Sequence, residues 1–354
     1  MSLFRDKVVL ISGGTGSLGK VLTRRLLAMH PYGPKKIIIF SRDEAKQHFM
    51  RMAYQQNKMA TDEIIYRDFE RLVEFRIGDV RNYLSVCQAL DGVDIVINAA
   101  ALKQVPSCEY FPSEAVQTNI GGAENIVRAI KQFHFPVETV VGVSTDKACK
   151  PINVMGMTKA IQERVFINAN IGSTHTRFIG VRYGNVLASR GSVIPLFHDQ
   201  IKSGGPVTIT TLDMTRFLLS LDRAVDTIFT AIEQALPGEI YVPRVPSARI
   251  IDIAQALIED RPINVIITGI RPGEKVHEIL VSNEEAWHTY ERGQYYAIKP
   301  MLPELYQEEY GINMLDQEYS SGDNVLSAPE TKQLLYQHHL NINEELNYDG
   351  ELLR

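Results

Sequence analysis

The chain has 354 residues, 45% of them hydrophobic, and a formal net charge of −5 at pH 7. This length and composition predict one large domain or two merged lobes around an extensive core. The negative charge, without a basic block interleaved with aromatics, argues against nucleic acid as a partner. Isolated cysteines predict neither a disulfide framework nor a metal site and fit a reducing cytoplasm. No apolar run approaches the roughly 20 residues of a membrane span, and residues 1–6 do not resemble a signal peptide.

The first half of the chain alternates short apolar runs with helical patterns. Strands are predicted at Lys7–Ser12, Lys36–Phe40, Val73–Val80, Asp94–Ala99, Val137–Ser144 and Arg177–Val186. Helices are predicted at Lys20–Met29, Asp43–Gln56, Ser85–Leu90, Ser113–Phe133 and Met155–Ala169. Continuous apolar strands separated by helices indicate an α/β fold, with a Rossmann-type doubly wound parallel sheet covered on both faces.

After residue 186 the pattern changes to shorter strands and helices, which predict a smaller mixed α/β substrate-binding lobe. We therefore expect a Rossmann domain at residues 1–186 and a second lobe at residues 187–284, with some exchange of chain between them. Residues 285–354 are more polar and are expected to form a C-terminal extension that includes a helix at Ala328–His339.

A glycine-rich segment directly follows the first strand and opens the first helix, with the spacing GxxGxxG. Glycine permits a tight turn and lets the backbone approach a pyrophosphate, whose charge is favoured by the N–H groups at the start of the helix. The alternative is a purely structural turn. We predict a dinucleotide site here, formed by Gly13, Thr15, Gly16, Ser17, Leu18 and Gly19.

The segment after the second strand is expected to distinguish NADP from NAD. Ser41 and Arg42 could hold a 2′-phosphate, Arg42 through a charge-assisted fork. Asp43 could instead serve NAD, or both charged residues could simply open the next helix. We favour NADP and leave NAD open. Asp79 and Val80, after the third strand, could reach the adenine, although Asp79 also suits a plain turn.

Small residues end the fourth strand. Ala99 and Ala100 would let the chain pass close under a cofactor, or would serve only tight packing between helix and sheet. Lys103 follows at the carboxyl edge, where open parallel sheets bind their ligands. We predict that Lys103 contacts the cofactor or a substrate phosphate; a surface lysine is the alternative.

A hydroxyl, an acid and an amine follow one another after the fifth strand, as Thr145, Asp146 and Lys147. Such a trio can supply a hydrogen-bond donor, a general acid and a general base. Lys147 could act as a base only if burial or a neighbouring cation lowered its pKa. Lys159 lies four residues after Met155 on one helix face and could bind the nicotinamide ribose. The alternatives are a helix-capping aspartate and exposed lysines.

Taken together, these residues resemble the extended short-chain dehydrogenase/reductase superfamily. Within it, the chain resembles the UDP-N-acetylglucosamine 4,6-dehydratases of bacterial polysaccharide and glycan biosynthesis, from about residue 5 to residue 281. The glycine segment is shared by the whole superfamily, whereas the later segments are narrower. The resemblance rests on Gly13–Gly19, Ala99–Pro106, Ser144–Ala148, Arg182–Val186, Met214–Phe217 and Arg271–Lys275.

The resemblance implies a hydro-lyase with an internally recycled nicotinamide and a UDP-4-keto-6-deoxy-N-acetylhexosamine as product. Hydride leaves sugar C4, the C5 proton and C6 hydroxyl are eliminated, and hydride returns at C6. It implies that Asp146 is the acid at C6, Lys147 the base at C5, Thr145 a helper at C4 and Lys159 the group that orients the nicotinamide ribose. The residues implied to hold the UDP-sugar are Lys103, Asn185, Arg190, Ser192, Arg216, Arg271 and Glu274.

One position departs from the superfamily, which usually has YxxxK. Met155 stands where the tyrosine is expected, and a thioether cannot take a proton at neutral pH. Asp146, Lys147 or a relayed water remain candidates for the base at C4. The resemblance also implies a homo-oligomer and leads us to favour inversion at C5. A nucleotide-sugar 4-epimerase and a catalytically silent dinucleotide-binding protein are the alternative functions.

Overall fold

The computed structural model describes residues 3–56, 69–187, 192–305 and 314–344. Its strands are β1 (Val8–Ser12), β2 (Lys36–Ser41), β3 (Val73–Ile77), β4 (Ile95–Asn98), β5 (Thr139–Thr145), β6 (Arg177–Tyr183), β7 (Val207–Ile209), β8 (Thr215–Phe217), β9 (Ile240–Pro243), β10 (Ser247–Arg249), β11 (Val265–Ile267), β12 (Ile279–Val281), β13 (Thr289–Arg292), β14 (Tyr295–Ile298) and β15 (Tyr319–Ser320).

Helices connect these strands. A π-helical turn at Val116–Gly121 and 3₁₀ turns at Asp146–Ala148 and Pro303–Leu305 lie between them. The α-helices are α1 (Ser17–Leu27), α2 (Glu44–Gln56), α3 (Phe69–Leu72), α4 (Tyr83–Leu90), α5 (Val105–Tyr110), α6 (Pro112–Ala115), α7 (Gly122–Phe133), α8 (Val154–Ala169), α9 (Val193–Lys202), α10 (Leu221–Gln234), α11 (Ile250–Ile258), α12 (Asn283–Ala286) and α13 (Ala328–Gln337).

The main sheet has the strand order β13-β14-β9-β6-β5-β4-β1-β2-β3 within the described part of the chain. The strands from β3 to β9 run parallel, and β14 and β13 add an antiparallel edge. The chain moves from β1 outward to β3 and then returns to β4, so the strand order reverses between β1 and β4. Ligands bind at such switch points, at the carboxyl ends of the strands. The predicted Rossmann-type α/β fold is confirmed.

Two hydrophobic cores lie on opposite faces of this sheet. Successive residues of a strand point to opposite faces. Accordingly, Ile11 and Ile39 belong to the core that contains α1 and α10, whereas Leu10 and Ile38 belong to the core that contains α4 and α7. This burial on both faces explains why the strands have continuous apolar runs rather than alternating ones.

A smaller group of elements stands beside the carboxyl edge of the sheet. It contains the strand pairs β7–β11, β8–β10 and β12–β15. A third core, with residues from α9, α11 and α13, holds it together. Residues 240–298 also supply β9, β13 and β14 to the main sheet. Among the described helices, none is long and apolar enough to cross a bilayer.

The predicted helix Ser113–Phe133 is divided into α6, the π-helical turn and α7. The turn contains Asn119, whose side chain is buried. Its oxygen accepts the N–H of Leu102 at 2.8 Å, and its nitrogen donates to the hydroxyl of Thr158 at 2.9 Å. The turn therefore ties the loop after β4 to α8, and both of these segments line the cleft described below.

Candidate active site

A cleft of about 1130 Å³ lies at the carboxyl edge of the main sheet, between the sheet and the smaller group of elements. It brings together nearly every residue that the sequence singled out. Arg190 lies outside the described residues, and Asp146 is buried just behind the cleft wall. The predicted residues that line the cleft are Gly13, Thr15, Gly16, Ser17, Leu18, Gly19, Ser41, Arg42, Asp79, Val80, Ala99, Ala100, Lys103, Thr145, Lys147, Met155, Lys159, Asn185, Ser192, Arg216, Arg271 and Glu274.

The glycine loop passes directly over the end of β4. Gly13 has φ +67°, and a Cβ there would lie 2.9 Å from both Cα and N of Ala100. The N–H of Gly16 donates to the Gly13 carbonyl at 3.0 Å, which closes the turn. Gly16 then caps α1 without a side-chain hydrogen bond. The backbone N–H groups at the start of α1 therefore face the cleft, an arrangement that suits a pyrophosphate.

Charged groups gather at the end of β2. Arg42 is exposed, and its Nη1 lies 3.7 Å from Oδ2 of Asp79. Arg81 binds the same Asp79 carboxylate more closely, with Nη2 to Oδ2 at 2.6 Å. Burial raises the pKa of Asp79, but hydrogen bonds from Arg81 and the charge of Arg42 outweigh it and lower the pKa. Ser41 is buried, and its hydroxyl accepts the Gln47 amide at 3.2 Å.

The turn after β5 holds the hydroxyl, the acid and the amine together. The Thr145 hydroxyl donates to Oδ1 of Asp146 at 2.8 Å. Lys147 Nζ donates to the same oxygen at 3.1 Å and to Oδ1 of Asn185 at 3.2 Å. A Cβ on Gly156 would lie 2.1 Å from the Lys147 carbonyl oxygen. The absence of a side chain at Gly156 therefore lets α8 pack directly against this turn.

A second carboxylate faces Lys147, and the sequence did not reveal it. Oε1 of Glu278 lies 3.3 Å from Lys147 Nζ, and Glu278 is only 3% exposed. Burial lowers the pKa of Lys147, but the charges of Asp146 and Glu278 outweigh burial and raise it. The lowered pKa that we required of a base is therefore not found. In sequence, a glutamate just before a strand looks like a solvated charge, and only its position four residues after Glu274 could have drawn attention.

Lys159 is buried, which rules out the exposed-lysine alternative. Its Nζ donates to the Val143 carbonyl at 2.6 Å and to the Gln162 side chain. Burial lowers the pKa of Lys159 to about 8, although the charge of Glu163 acts in the opposite direction. Lys159 therefore presents a readily discharged amine at the cleft, beside the carboxyl end of β5.

Met155 is buried among Cys108, Ala115 and neighbouring apolar groups, at the edge of the cleft. Tyr183, at the end of β6, also lines the cleft. Its phenol does not replace the missing superfamily tyrosine, because burial raises the pKa of Tyr183 well above its usual value. The candidates that the sequence left for a base at C4, namely Asp146, Lys147 or a relayed water, stay a prediction.

A buried ion cluster supports this turn from behind. Arg182 is 1% exposed, and it binds Glu163 and Glu285, each at 2.7 Å. The Ser144 hydroxyl donates to Glu163 at 2.5 Å. Burial raises the pKa of Glu285, but Arg182 outweighs it and lowers the pKa to about 2. The cluster joins β6, α8 and α12, and sequence reasoning missed its glutamates because each looks like an ordinary helix-surface charge.

The residues predicted to hold the sugar nucleotide differ in whether their side chains already make hydrogen bonds within the protein. Arg216 is buried and donates to the carbonyls of Thr215 at 2.7 Å and Val276 at 3.1 Å. Ser192 Oγ and Glu274 Oε2 are buried and have no hydrogen-bond partner among the described residues. Buried polar groups are usually paired, so both atoms are candidates to contact a ligand.

Comparison with known proteins agrees with this geometry. A family model described as "Polysaccharide biosynthesis protein" matches residues 9–300. The chain belongs to this family. Its similar relatives include an inverting UDP-N-acetylglucosamine 4,6-dehydratase of Campylobacter jejuni, 41% identical over 94% of this chain and 97% of that protein. A UDP-glucose 4-epimerase of Rickettsia canadensis is 43% identical over 94% of this chain and 96% of that protein.

A solved structure of the family's fold also matches over nearly the whole chain. The X-ray structure of Pen from Bacillus thuringiensis has a TM-score of 0.85 and 34% identity, covering 96% of this chain and all of that one. The relatives therefore carry two different activity names, and the site chemistry must decide between them.

Proposed function

We propose that this family member is a UDP-N-acetylglucosamine 4,6-dehydratase, a hydro-lyase that releases a UDP-4-keto-6-deoxy-N-acetylhexosamine for surface polysaccharide or glycan biosynthesis. One observation carries the proposal: Thr145, Asp146 and Lys147 are joined by hydrogen bonds of 2.8 Å and 3.1 Å at the carboxyl edge of the sheet. Elimination of water needs an acid and a base side by side. The dehydratase name of the Campylobacter relative supports the same reading.

The cleft fits a nicotinamide dinucleotide. Gly13 approaches Ala100 closely because it has no side chain, and Thr15, Ser17 and Leu18 line the same wall at the start of α1, where a pyrophosphate would bind. A bound nicotinamide would supply the oxidation at sugar C4 and the matching reduction at C6. Lys159 would hold the nicotinamide ribose. We favour NADP because the exposed guanidinium of Arg42 could turn from Asp79 to a 2′-phosphate.

The missing tyrosine is replaced, in this proposal, by a two-residue relay. The Thr145 hydroxyl accepts the C4 hydroxyl proton while it passes its own proton to Oδ1 of Asp146, to which it already donates. Asp146, which is buried, then carries this proton. The first half-reaction thereby prepares the acid that the second one needs.

Elimination follows at C5 and C6. Lys147, as a free amine, takes the C5 proton, which the C4 ketone has made acidic. Asp146 gives its proton to the C6 hydroxyl, which leaves as water. The proton taken from the C4 hydroxyl thus departs with the water. Asp146 therefore ends the elimination in the protonation state in which it began the reaction. Lys147 must give up its C5 proton to solvent before the next turnover.

The UDP part would lie against the smaller group of elements. Arg216 and Arg271 suit a pyrophosphate because guanidinium groups are always charged and bind two oxygens at once. Ser192 Oγ and Glu274 Oε2, both without partners among the described residues, would contact the nucleotide or sugar hydroxyls. Lys103 is exposed at the same cleft and is expected to contact a phosphate.

A nucleotide-sugar 4-epimerase is the second candidate, because the Rickettsia relatives carry that name. An epimerase shares the oxidation at C4 but needs no acid–base pair for elimination. The contacts of Asp146 and Lys147 favour the dehydratase, and Met155 stands where epimerases of the superfamily normally use tyrosine. The two activities give different products, so one experiment separates them.

The test is incubation of the purified protein, with bound cofactor confirmed, with UDP-N-acetylglucosamine in deuterated water, followed by proton NMR. A C6 methyl signal with deuterium at C5 is expected. A C4 epimer without a methyl signal would instead identify an epimerase, and an unchanged substrate would favour a silent binding protein. Asp146→Asn is the matched control, since it should remove the methyl signal and retain cofactor binding.

The ring couplings of the product decide the stereochemistry. We propose inversion at C5, which the name of the Campylobacter relative supports. Inversion requires that the proton returns to the face opposite Lys147, so solvent deuterium at C5 should appear in an L-configured product. Retention of the D-configuration would contradict this part of the proposal and leave the dehydratase activity intact.

We also propose a homo-oligomer working in the cytoplasm. Exposed apolar side chains on neighbouring elements, among them Tyr110, Phe111, Met157 and Ile161, provide a surface for a second copy. The free thiols of Cys87, Cys108 and Cys149 are compatible with a reducing compartment. Light scattering at working concentration is expected to give more than one copy per particle, and a monomer would reject the assembly.

A further inference from the structure

Glu278 is a buried carboxylate with an unusual position in the cleft wall. Oε1 lies 3.3 Å from Lys147 Nζ and 3.8 Å from Nε of Arg216. Oε2 is buried and has no hydrogen-bond partner among the described residues. The backbone is anchored on both sides, because Glu278 N–H donates to the Ser321 hydroxyl at 2.9 Å and Ser321 N–H donates to the Glu278 carbonyl at 2.8 Å. Glu278 is therefore held rigidly against the amine.

Three oxygen atoms surround the nitrogen of Lys147. They belong to Asp146 at 3.1 Å, Asn185 at 3.2 Å and Glu278 at 3.3 Å. An ammonium group has three N–H donors, so this arrangement matches the protonated form of Lys147. The ammonium is also the form that Lys147 takes after it has removed a proton from a sugar. The site is therefore shaped for the product of the proton transfer.

The two carboxylates cannot have the same task. Asp146 already accepts a hydrogen bond from the Thr145 hydroxyl, through which it receives a proton in the proposed reaction. While Asp146 is protonated it carries no charge and cannot balance an ammonium. Glu278 makes no contact with Thr145 in the structure, and its carboxylate stays beside Lys147. Glu278 is therefore the counter-charge beside Lys147 until Asp146 has given up its proton.

We propose that Glu278 is a positioning residue of the dehydration, which orients Lys147 and stabilises the positive charge that Lys147 acquires when it removes the C5 proton. This inference rests on the proposed function. In the step, the lone pair of the Lys147 amine takes the C5 proton, and the C5–H electron pair forms the C5–C6 double bond. The C6–O bond breaks as the hydroxyl takes a proton from Asp146 and leaves as water. Glu278 takes no part in these proton transfers.

The charges that face Lys147 also determine its pH range. Asp146 and Glu278 raise the pKa of Lys147, whereas burial and the charge of Arg216 lower it. A raised pKa makes the amine a stronger base but leaves fewer molecules in the amine form at neutral pH. The wild-type rate is therefore expected to rise with pH along an acid limb, until Lys147 is deprotonated.

Glu278→Gln separates this role from a merely structural one. The amide keeps the size of the side chain and an oxygen towards Lys147 but removes the charge. The maximal kcat is expected to fall about 10- to 100-fold, since a preorganised electrostatic contact is lost. The acid limb is expected to move about 1–3 pH units lower, because an opposite charge near the amine has been removed. KM should change much less than kcat.

Two further variants complete the test. Glu278→Asp keeps the charge at a greater distance, so the acid limb should return towards the wild-type pH while kcat recovers only in part. If the glutamine variant does not fold, the kcat and the acid limb of Glu278→Asp are compared with those of the wild-type protein instead. Glu318→Gln is the matched control, because Glu318 pairs with Lys150 at 2.6 Å away from the cleft. It should leave both kcat and the acid limb unchanged.

Each outcome decides the role of Glu278. A lower kcat with an acid limb at lower pH supports it. An unchanged kcat, a higher kcat, or a lower kcat with an unmoved acid limb rejects it, while product formation by the wild-type protein keeps the dehydratase proposal intact. A wild-type protein that forms no C6 methyl group rejects the proposed function itself, and this role for Glu278 with it.

Discussion

At the proposed cofactor end of the cleft, Gly13 lies against Ala100 with backbone facing backbone, whereas at the proposed sugar end the amine of Lys147 lies among three oxygen atoms. The first region depends on shape. The hydrogen bond that closes the turn of this first region lies within the glycine loop, whereas the close approach to Ala100 reaches the segment after β4. The second depends on balanced charge, which is supplied by residues that follow β5 and β6 and by one that precedes β12.

The difference follows from what each ligand part demands. A pyrophosphate can be bound by backbone N–H groups, which any sequence provides once glycine opens the space. A reacting sugar needs acids and bases, which are costly to bury unless each is paired. The sugar end is accordingly backed by the cluster of Arg182, Glu163 and Glu285, which contains no group that reaches the cleft.

The largest expected effect is at the sugar end, from Lys147→Ala. Removal of the base should lower the dehydration rate about 10²- to 10⁴-fold, measured by NMR of the C6 methyl group. Exchange of the C5 proton should become slow rather than absent. Lys150→Ala is the control, because Lys150 is in the same loop but pairs with Glu318 at 2.6 Å, and neither residue lines the cleft. Full activity of the Lys147 variant would remove it as the base.

Arg182→Met tests the charge balance behind the turn. The change leaves Glu163 and Glu285 buried without their cation, so the free energy of unfolding should fall by about 3–5 kcal/mol in urea titrations. Arg164→Met, at an exposed residue 3.9 Å from Glu285, should cost only about 0–1 kcal/mol. Replacing both glutamates by glutamine in the Arg182→Met protein should recover part of the loss. Equal costs for Arg182 and Arg164 would contradict this account.

Gly13→Ala tests the shape of the cofactor end. The added Cβ would meet Ala100 at 2.9 Å, and overpacking of this kind costs about 1–3 kcal/mol. Dinucleotide affinity should fall as well, in a calorimetric titration. Gly92→Ala is a matched control, because Gly92 has φ +69° with nothing within 4 Å of the added atom. It should show the cost of a left-handed backbone, about 1–2 kcal/mol, without any loss of cofactor binding.

The smallest expected effect is from Arg42→Ala. If Arg42 holds the 2′-phosphate, NADP affinity should fall about 10-fold, the range of a hydrogen bond to a charged group, while NAD affinity stays nearly constant. The two cofactors are the internal control. Equal losses for both would mean that Arg42 does not read the 2′-phosphate, and that the Arg42–Asp79 contact at 3.7 Å is only a surface pair.

The sequence predicted the parallel sheet, the glycine loop and most of the cleft, because these depend on local patterns. An apolar run of strand length or a glycine spacing is contained within about ten consecutive residues, so it can be recognised without knowledge of the fold. It could not predict that Glu278 would face Lys147 or that Glu285 would bind Arg182, 103 residues away. Gly156 was also missed, since its close approach to the Lys147 carbonyl appears only when α8 is packed. Such contacts leave no periodic signal in the chain.

The place of β9 in the sheet has a consequence for synthesis of the protein. β6 pairs with β5 on one side, but its other edge waits for β9, roughly 60 residues later in the chain. At about 5–20 residues per second, a ribosome takes about 3–12 s to make that stretch. During this time the nascent chain has an open strand edge, which invites pairing with other chains. The gap between β6 and β9 is thus a period in which a chaperone would protect the growing protein.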